Sequence, residues 1–339
     1  MGVDISDLVI KHETRISDFS GYLVSVDAFN IIYQFLSSIR QSDGSPLTDL
    51  EGNVTSHLSG IFYKTIALMS EGIKPVFVFD GKPSPLKQRT IAERRLIKEK
   101  ARLNLEEAIE KGDAERIARL KRTINYVTPE IVEDCKKLLG FMGLPYVQAI
   151  SEGEAQASSM SAAGMVQGVI SQDYDCLLFG ARRIFRNFTL YGRRRISSRN
   201  VYISVNPEYI DLNETLSSLG VSREKLIDIA ILIGTDFNEG LQRVGAKTAI
   251  SLMKKYGTLE NVLDAKKEFI SNLEEIRELF RNPPTVPDID MKFREPNKEE
   301  ILKFLCETHN FSEDRITKGI EELQRQFSRG RQGNLDTFF

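Results

Sequence analysis

Short unbroken apolar runs alternate along this chain with longer stretches of helical periodicity. Residues 22–27 ("YLVSVD") and 75–80 ("PVFVFD") are β-branched and aromatic, and both end in a carboxylate, Asp27 and Asp80. Apolar residues on consecutive positions suit parallel strands buried on both faces. Between these runs, 54–71 reads as a helix closed by Gly72. A second unit of the same kind follows. Thr128 stands as helix N-cap, Pro129 at the first helical position and Gly143 near the end. Strand 145–150, helix 152–164 and strand 167–172 come next. The pattern predicts an α/β fold, a mostly parallel central sheet with helices on both faces. Ligands of such sheets bind at the carboxyl ends of the strands.

The remaining segments are less regular. Residues 86–122 are helix-rich and highly charged, with little apolar periodicity, and read as mobile helices lying on the surface. A helix over 223–234 is stopped by Gly234, just before Asp236. In "EGLQRVGAKTAISLMKKYG" (239–257), Gly240 and Gly245 flank a tight turn and Ala246 to Lys255 read as the next helix. Residues 282–296 hold four of the eleven prolines and read as an extended strap. Residues 297–326 look helical. The tail "SRGRQGNLDTFF" has too little apolar content to fold alone and is expected to be mobile.

Composition narrows the chemistry. With 339 residues the chain suffices for one large domain or two smaller ones. No apolar run approaches the roughly 18 residues of a membrane span, and no signal-peptide pattern opens the chain. Cys135, Cys176 and Cys306 are far apart, as are His12, His57 and His309. Neither a disulfide framework nor a zinc site is suggested, so any metal should be a hard, oxygen-liganded one. Net charge is −2, but residues 82–122 hold 13 Lys or Arg against 7 Asp or Glu, and 176–207 hold seven Arg and no acid. Basic segments in an otherwise acidic chain describe a polarised surface.

The acids recur at the same kind of place. Asp27 and Asp80 end apolar runs, Glu152 and Glu154 follow another in "SEGEA", and Asp173 and Asp175 sit in "QDYDCLLFG". Asp236 joins them at a helix end. Any one such Asp can be a turn residue, and "SEGE" can be a capping box with Ser151 as N-cap. As a set they point to a crevice of like charges, costly unless cations relieve it. A pair of divalent metals does so and stabilises both oxygens of a phosphodiester displacement. Lys87 and Arg94 are two helical turns apart, suited to holding a phosphate; alone they would be an ordinary solvated face. Exposed amides at Gly245 can hold a phosphate, or simply belong to a helix hairpin.

Taken together, "VDAFN", "VFDGKP", "SEGEA", "DYDCLLFG", "IGTDFNEG" and "GAKTA" resemble, in order and spacing, the structure-specific 5′ nuclease family and its flap endonuclease branch, essentially end to end. The resemblance implies a metal-dependent nuclease that trims 5′ flaps during lagging-strand maturation and long-patch base excision repair, with 5′–3′ exonuclease activity. The seven acids fall on the family's metal positions, for two Mg²⁺ with Mn²⁺ as a substitute. Lys87 and Arg94 fall on the basic residues of its gateway helix. Tyr33 falls on the base-stacking aromatic, Gly2 on the N-terminus near the site, and Arg40 and Lys64 on DNA contacts. Gly245, Lys247 and Thr248 match the helix–two-turn–helix that grips duplex phosphates around a monovalent cation. Three positions depart from the family pattern: Gly240 where a hydroxyl side chain is usual, Gln172 where an acid is, and Lys64 where Arg is. The implied division is a nuclease region at 1–98, the rest of a helical arch at 99–122, and an intermediate nuclease region at 123–258. A strap with helices follows at 259–326, then a flexible tail at 327–339. The tail matches a sliding-clamp motif of the PCNA-binding type at Gln332, Leu335, Phe338 and Phe339. The implied partners are branched DNA (a 5′ flap, double flap, nick or gap) and that clamp, with no membrane and a monomeric state. Lacking a basic extension, the chain resembles archaeal members, hence a cytoplasmic protein.

Two other classes were open at this point. "DYD" resembles the Asp-x-Asp of haloacid-dehalogenase-type phosphatases, with Asp173 as nucleophile, although that leaves the other five acids and the basic arch unused. A non-catalytic junction-binding scaffold is the second.

Overall fold

The computed structural model describes residues 2–41, 43–113, 116–117, 120, 127–189, 192–196 and 201–335, with backbone alone for 192–196, 201–204 and 329–335. The strands are β1 (His12–Glu13), β2 (Leu23–Asp27), β3 (Lys74–Phe79), β4 (Tyr146–Gln148), β5 (Val169–Ile170), β6 (Arg183–Arg186), β7 (Gly192–Ile196), β8 (Val201–Val205) and β9 (Glu208–Asp211). Seven of them form one sheet in the order β1-β9-β6-β5-β2-β3-β4, while β7 and β8 make a separate antiparallel pair. From β6 to β4 every pairing is parallel, and only β9 runs antiparallel to its neighbours β6 and β1.

Strand geometry explains the unbroken apolar runs. Successive side chains point to opposite faces. Val24, Val26, Phe77, Phe79, Ile170 and Phe185 enter one core, whereas Val76, Val78, Val169 and Ile184 enter the other. Helices Ala28–Ser38, Ser56–Ser70 and Pro129–Phe141 cover the first face, and Gly153–Ala162 and Arg223–Ile233 the second. A sheet buried twice over is a rigid platform, and its carboxyl edge is where Asp27 and Asp80 emerge. Thr128 caps the Pro129–Phe141 helix by accepting from the Ile131 amide at 3.4 Å, as its sequence predicts. Gly234 ends Arg223–Ile233 with φ +109°, a region closed to most side chains.

The strap over 282–297 has no regular secondary structure and is fastened to the body of the sheet and its helices. The Val286 amide donates to Gln156 Oε1 at 2.6 Å, the Arg294 amide to the Gly143 carbonyl at 2.8 Å, and the Asn297 amide to the Phe141 carbonyl at 2.8 Å. The helical segment after it differs from expectation at its far end. Glu313–Leu335 is one helix, which runs beyond the expected end at 326 as far as Leu335. "SRGRQGNL" contains no proline, and extending an existing helix needs no new nucleus, although Gly330 and Gly333 each cost about 1 kcal/mol relative to Ala. Gln332 and Leu335 lie on that backbone; Phe338 and Phe339 lie outside the described residues.

Arg277 ties three C-terminal helices together. It belongs to Leu273–Arg281, is nearly buried, and bonds Asp228 Oδ1 at 2.7 Å on Arg223–Ile233 and Glu260 Oε1 at 2.6 Å on Leu259–Lys266. Removing one partner of a buried ion pair strands the other charge. Arg277→Ala is expected to lower unfolding stability by about 3 kcal/mol, read from the denaturant midpoint. A loss under about 0.5 kcal/mol would rank this network with ordinary surface pairs.

Candidate metal and nucleic-acid site

The seven acids are delivered by five segments of the chain. Asp27 ends β2 and caps the next helix, accepting from the Asn30 amide at 3.0 Å and the Ser171 hydroxyl at 3.1 Å. Asp80 follows β3 and accepts from the Gly153 amide at 2.6 Å. Glu152 and Glu154 open the Gly153–Ala162 helix. Glu152, not Ser151, is the N-cap residue, and its side chain makes no capping bond. The capping-box alternative therefore fails, and Glu154 is left buried beneath the crevice. Asp173 and Asp175 flank Tyr174 where β5 gives way to the short Asp175–Leu178 helix.

Carboxylate oxygens of Asp27, Glu154 and Asp173 lie within 4.8 Å of one another. The other four acids join this centre through shared charge. Asp80 faces Asp27, and Asp175 faces Asp173 and Asp236. Lys87 bridges Glu152 at 2.5 Å and Asp236 at 3.2 Å. Burial, then the neighbouring Asp80 and Asp173, pushes Asp27 up to about 7. Burial and Glu152 push Asp80 up to about 6, against the Gly153 amide that holds it down. Burial with Asp173 and Asp236 takes Asp175 to about 7. Glu154 is raised well above the carboxylate range, by burial first and Asp175 next. One oxygen of Asp175 is buried with no hydrogen-bond partner. An all-oxygen donor set, starved of positive charge and holding an unpartnered oxygen, fits hard divalent cations.

The two predicted cations converge on these acids. Lys87 closes a 3₁₀ turn, Pro85–Lys87, that leads into the Gln88–Glu110 helix. Burial alone would lower its pKa, but Glu154, Glu152 and Asp236 together raise it, so it stays charged. Arg94, one helical face further, reaches both oxygens of Asp236 at 2.7 and 2.8 Å while its own side chain stays 42% exposed. Gly2 touches the same site, its amide 3.4 Å from Asp173 Oδ1; a side chain at that position would run into the Asp175 carboxyl.

The remaining predicted contacts lie around the crevice. Tyr33 is exposed on Ala28–Ser38. Arg40 donates to the carbonyls of Ser37 at 3.2 Å and Gly44 at 2.6 Å, which shapes the loop that follows, and Lys64 is half-buried on Ser56–Ser70. Gly245 is the N-cap residue of Ala246–Tyr256, with Lys247 and Thr248 exposed in its first turn. Lys247 also meets Asp7 at 3.4 Å on the surface. At Gly240, φ is +70° and a Cβ would strike the Ile233 carbonyl, so the turn itself excludes the usual hydroxyl side chain.

Two residues escaped the sequence reading. Asn30 donates to Asp173 Oδ2 at 3.0 Å and accepts from the Gln172 amide at 3.4 Å, locking two acidic segments together. Its signal was a lone amide on the otherwise apolar first turn after Asp27. Thr90 donates its hydroxyl to the Asp236 carbonyl at 2.6 Å, and nothing in a charged helix singles it out.

Comparison with known proteins finds relatives along the whole chain. Residues 2–101 match the XPG N-terminal domain and 143–236 the XPG I-region. The chain is similar to Flap endonuclease 1 of Picrophilus torridus, 58% identical over 339 residues and the full length of both. Flap endonuclease 1 of Methanosarcina barkeri is 48% identical, again over the whole of both chains. Among solved structures it is similar to flap endonuclease-1 from Methanococcus jannaschii, at 43% identity and a TM-score of 0.78, covering 97% of this chain and all of that one. The catalytic core of Rad2 in complex with DNA substrate, 22% identical with a TM-score of 0.73, covers 95% of this chain and all of that one and shares the fold.

The raised carboxylates carry a stability signature. Asp27 and Asp175 titrate near 3.8 in the unfolded chain and near 7 in the fold. The folded state then binds more protons over that interval, so stability should fall as pH rises from about 4 to about 7 and level off above. His57, its pKa lowered by burial, acts in the opposite sense, so the slope is best read as a difference between wild type and Asp175→Asn. Melting temperatures in chelator should show the larger fall for wild type, and Mg²⁺ should remove it. Identical profiles for the two proteins in chelator would contradict the assignment.

Proposed function

The chain belongs to the flap endonuclease family of XPG-type nucleases, and from that we propose how its residues divide the work. It is a structure-specific flap nuclease, a metal-dependent phosphodiester hydrolase acting on branched DNA in replication and repair. The observation that carries the assignment of roles is the convergence of Asp27, Glu154 and Asp173 beside two ion-paired cations.

Asp27, Asp80, Glu152, Glu154, Asp173, Asp175 and Asp236 hold two Mg²⁺, replaceable by Mn²⁺, some directly and others through water. Bound there, such ions activate water and stabilise the departing oxygen. Everything else falls to the chain. Lys87 and Arg94 hold the scissile phosphate, Lys87 as a compact charge and Arg94 as a fork. Both are ion-paired with acids in this structure, so the incoming phosphate competes with Asp236 and Glu152 for them. Arg94, partly exposed, would have to leave Asp236 to reach the phosphate. Tyr33 stacks a base near the cut, Gly2 lies against the site, and Arg40 and Lys64 meet DNA phosphates. Gly245, Lys247 and Thr248 grip the duplex through phosphates, which is indifferent to sequence and weakens with salt. Any monovalent cation in that turn is held by backbone carbonyls alone, because Gly240 supplies no hydroxyl. The protein acts as a cytoplasmic monomer. Gln332, Leu335, Phe338 and Phe339 tether it to a PCNA-type sliding clamp.

A labelled double-flap substrate tests the division. Asp173→Asn should lose turnover by orders of magnitude and still bind the junction in Ca²⁺. Lys87→Ala should lose about 10²-fold in single-turnover rate, near 3 kcal/mol, and little affinity. Near-normal turnover of Asp173→Asn at limiting Mg²⁺ would refute the metal role, and a pure affinity loss in Lys87→Ala would make it a binding residue only.

The clamp assignment has its own assay. Phe338→Ala combined with Phe339→Ala should abolish stimulation of cleavage by a PCNA-type clamp and leave unaided cleavage and melting temperature unchanged. A drop in either would place the two rings in this protein's own fold.

A further inference from the structure

Tyr174 stands between the two acids of the "DYD" turn, and its surroundings are built. The ring is buried and the Arg186 guanidinium lies over it, Cζ 4.4 Å from the centroid. Arg186 Nη1 donates to the Tyr174 hydroxyl at 2.5 Å and to Glu208 Oε1 at 2.7 Å. Glu208 is the residue directly opposite Arg186 in the β6–β9 register. Lys11 approaches the same ring at 5.7 Å. A stacked guanidinium is positioned in plane and in angle, which a flexible ammonium is not.

We propose that Arg186, held by Glu208, is a positioning residue that fixes the Asp173–Asp175 turn through Tyr174. The Asp173 carboxylate is held by Asn30 and the Gly2 amide, and that of Asp175 by the Val3 amide at 2.7 Å. Those contacts act on the carboxylates themselves. The stack, with Lys11 near the same ring, acts on the side chain between them, so it bears on how the two carboxylates are angled relative to each other. The antiparallel strand β9 thereby supports the acidic centre, although it lies three strands from β2 in the sheet. Neutralisation by Glu208 also limits how far the Arg186 charge competes with a metal. Mutating groups that orient metal ligands from behind typically weakens metal binding by about 10–100-fold.

The inference rests on the metal-site reading, and its test separates the two. Mn²⁺ binding to the full chain is measured by calorimetry for wild type, Arg186→Lys, Glu208→Gln and Tyr174→Phe. Melting temperature and junction affinity in Ca²⁺ are measured alongside. Arg186→Lys keeps the charge but loses the stack, and should weaken Mn²⁺ binding about tenfold with junction affinity unchanged. Glu208→Gln should weaken it in the same direction, and serves if Arg186→Lys does not fold. Tyr174→Phe keeps the ring and should bind Mn²⁺ more tightly than Arg186→Lys. Turnover of Arg186→Lys should recover at saturating metal. Unchanged Mn²⁺ affinity in both Arg186→Lys and Glu208→Gln overturns the proposal, as does a loss of junction affinity alone, which would make Arg186 a phosphate contact. A wild type that binds no Mn²⁺ overturns the metal-site reading itself, and this inference with it.

Discussion

Repulsion among buried carboxylates sets the terms for the rest of the molecule. Asp27, Asp80, Glu154 and Asp175 are all pushed toward protonation by burial and by one another. Left to themselves, such groups would separate or draw in water. The fold prevents both. Asp27 and Asp80 sit at the ends of adjacent strands whose positions are fixed by cores on two faces. Single donors from Asn30, Ser171, Gly153 and Val3 then hold individual oxygens. The result is a pre-strained cavity for positive charge, assembled from parts that are each ordinary.

Positive charge reaches that cavity from one helix root. Lys87 and Arg94 pair with Asp236, Thr90 bonds the Asp236 carbonyl, and Arg89 pairs with Glu239. Four residues within two turns thus clasp a single short loop. The loop in turn leads directly into the glycine turn and the Gly245 helix start. The root that carries Lys87 and Arg94 and the start of the Ala246–Tyr256 helix are therefore joined through one short loop.

Much of this was legible in the sequence, for identifiable reasons. Largely apolar runs ending in Asp encode strands buried on two faces, and the one polar residue inside β2, Ser25, is itself buried and donates its hydroxyl to the Ala157 carbonyl. Thr128–Pro129 and Gly234 encode helix boundaries through their own backbone limits. The acids were legible because recurrence at strand ends is improbable for turns alone. What stayed hidden was nonlocal or depended on small shifts. Ser151 and Glu152 differ by one residue as cap, yet that residue decides whether Glu154 is spent on its own helix. Asn30 and Arg186 act on partners more than a hundred and about a dozen residues away, which no local pattern records. The helical run to Leu335 was missed because low apolar content argues against an independent helix, not against the extension of one already packed.

The loop clasped by the helix root has a further consequence, which is metrological. Asp236 lies in the acidic centre and Gly245 at the duplex grip, only nine residues apart in sequence. Fully extended, that length of chain spans at most roughly 30 Å, and the folded turn, with Gly234 and Gly240 pressed against neighbouring backbone, takes up its slack. On the proposed roles, the distance from gripped phosphate to cut phosphate is set by the polypeptide, like the marks on a ruler. Cutting position would then be counted from where duplex begins, with no information from the bases.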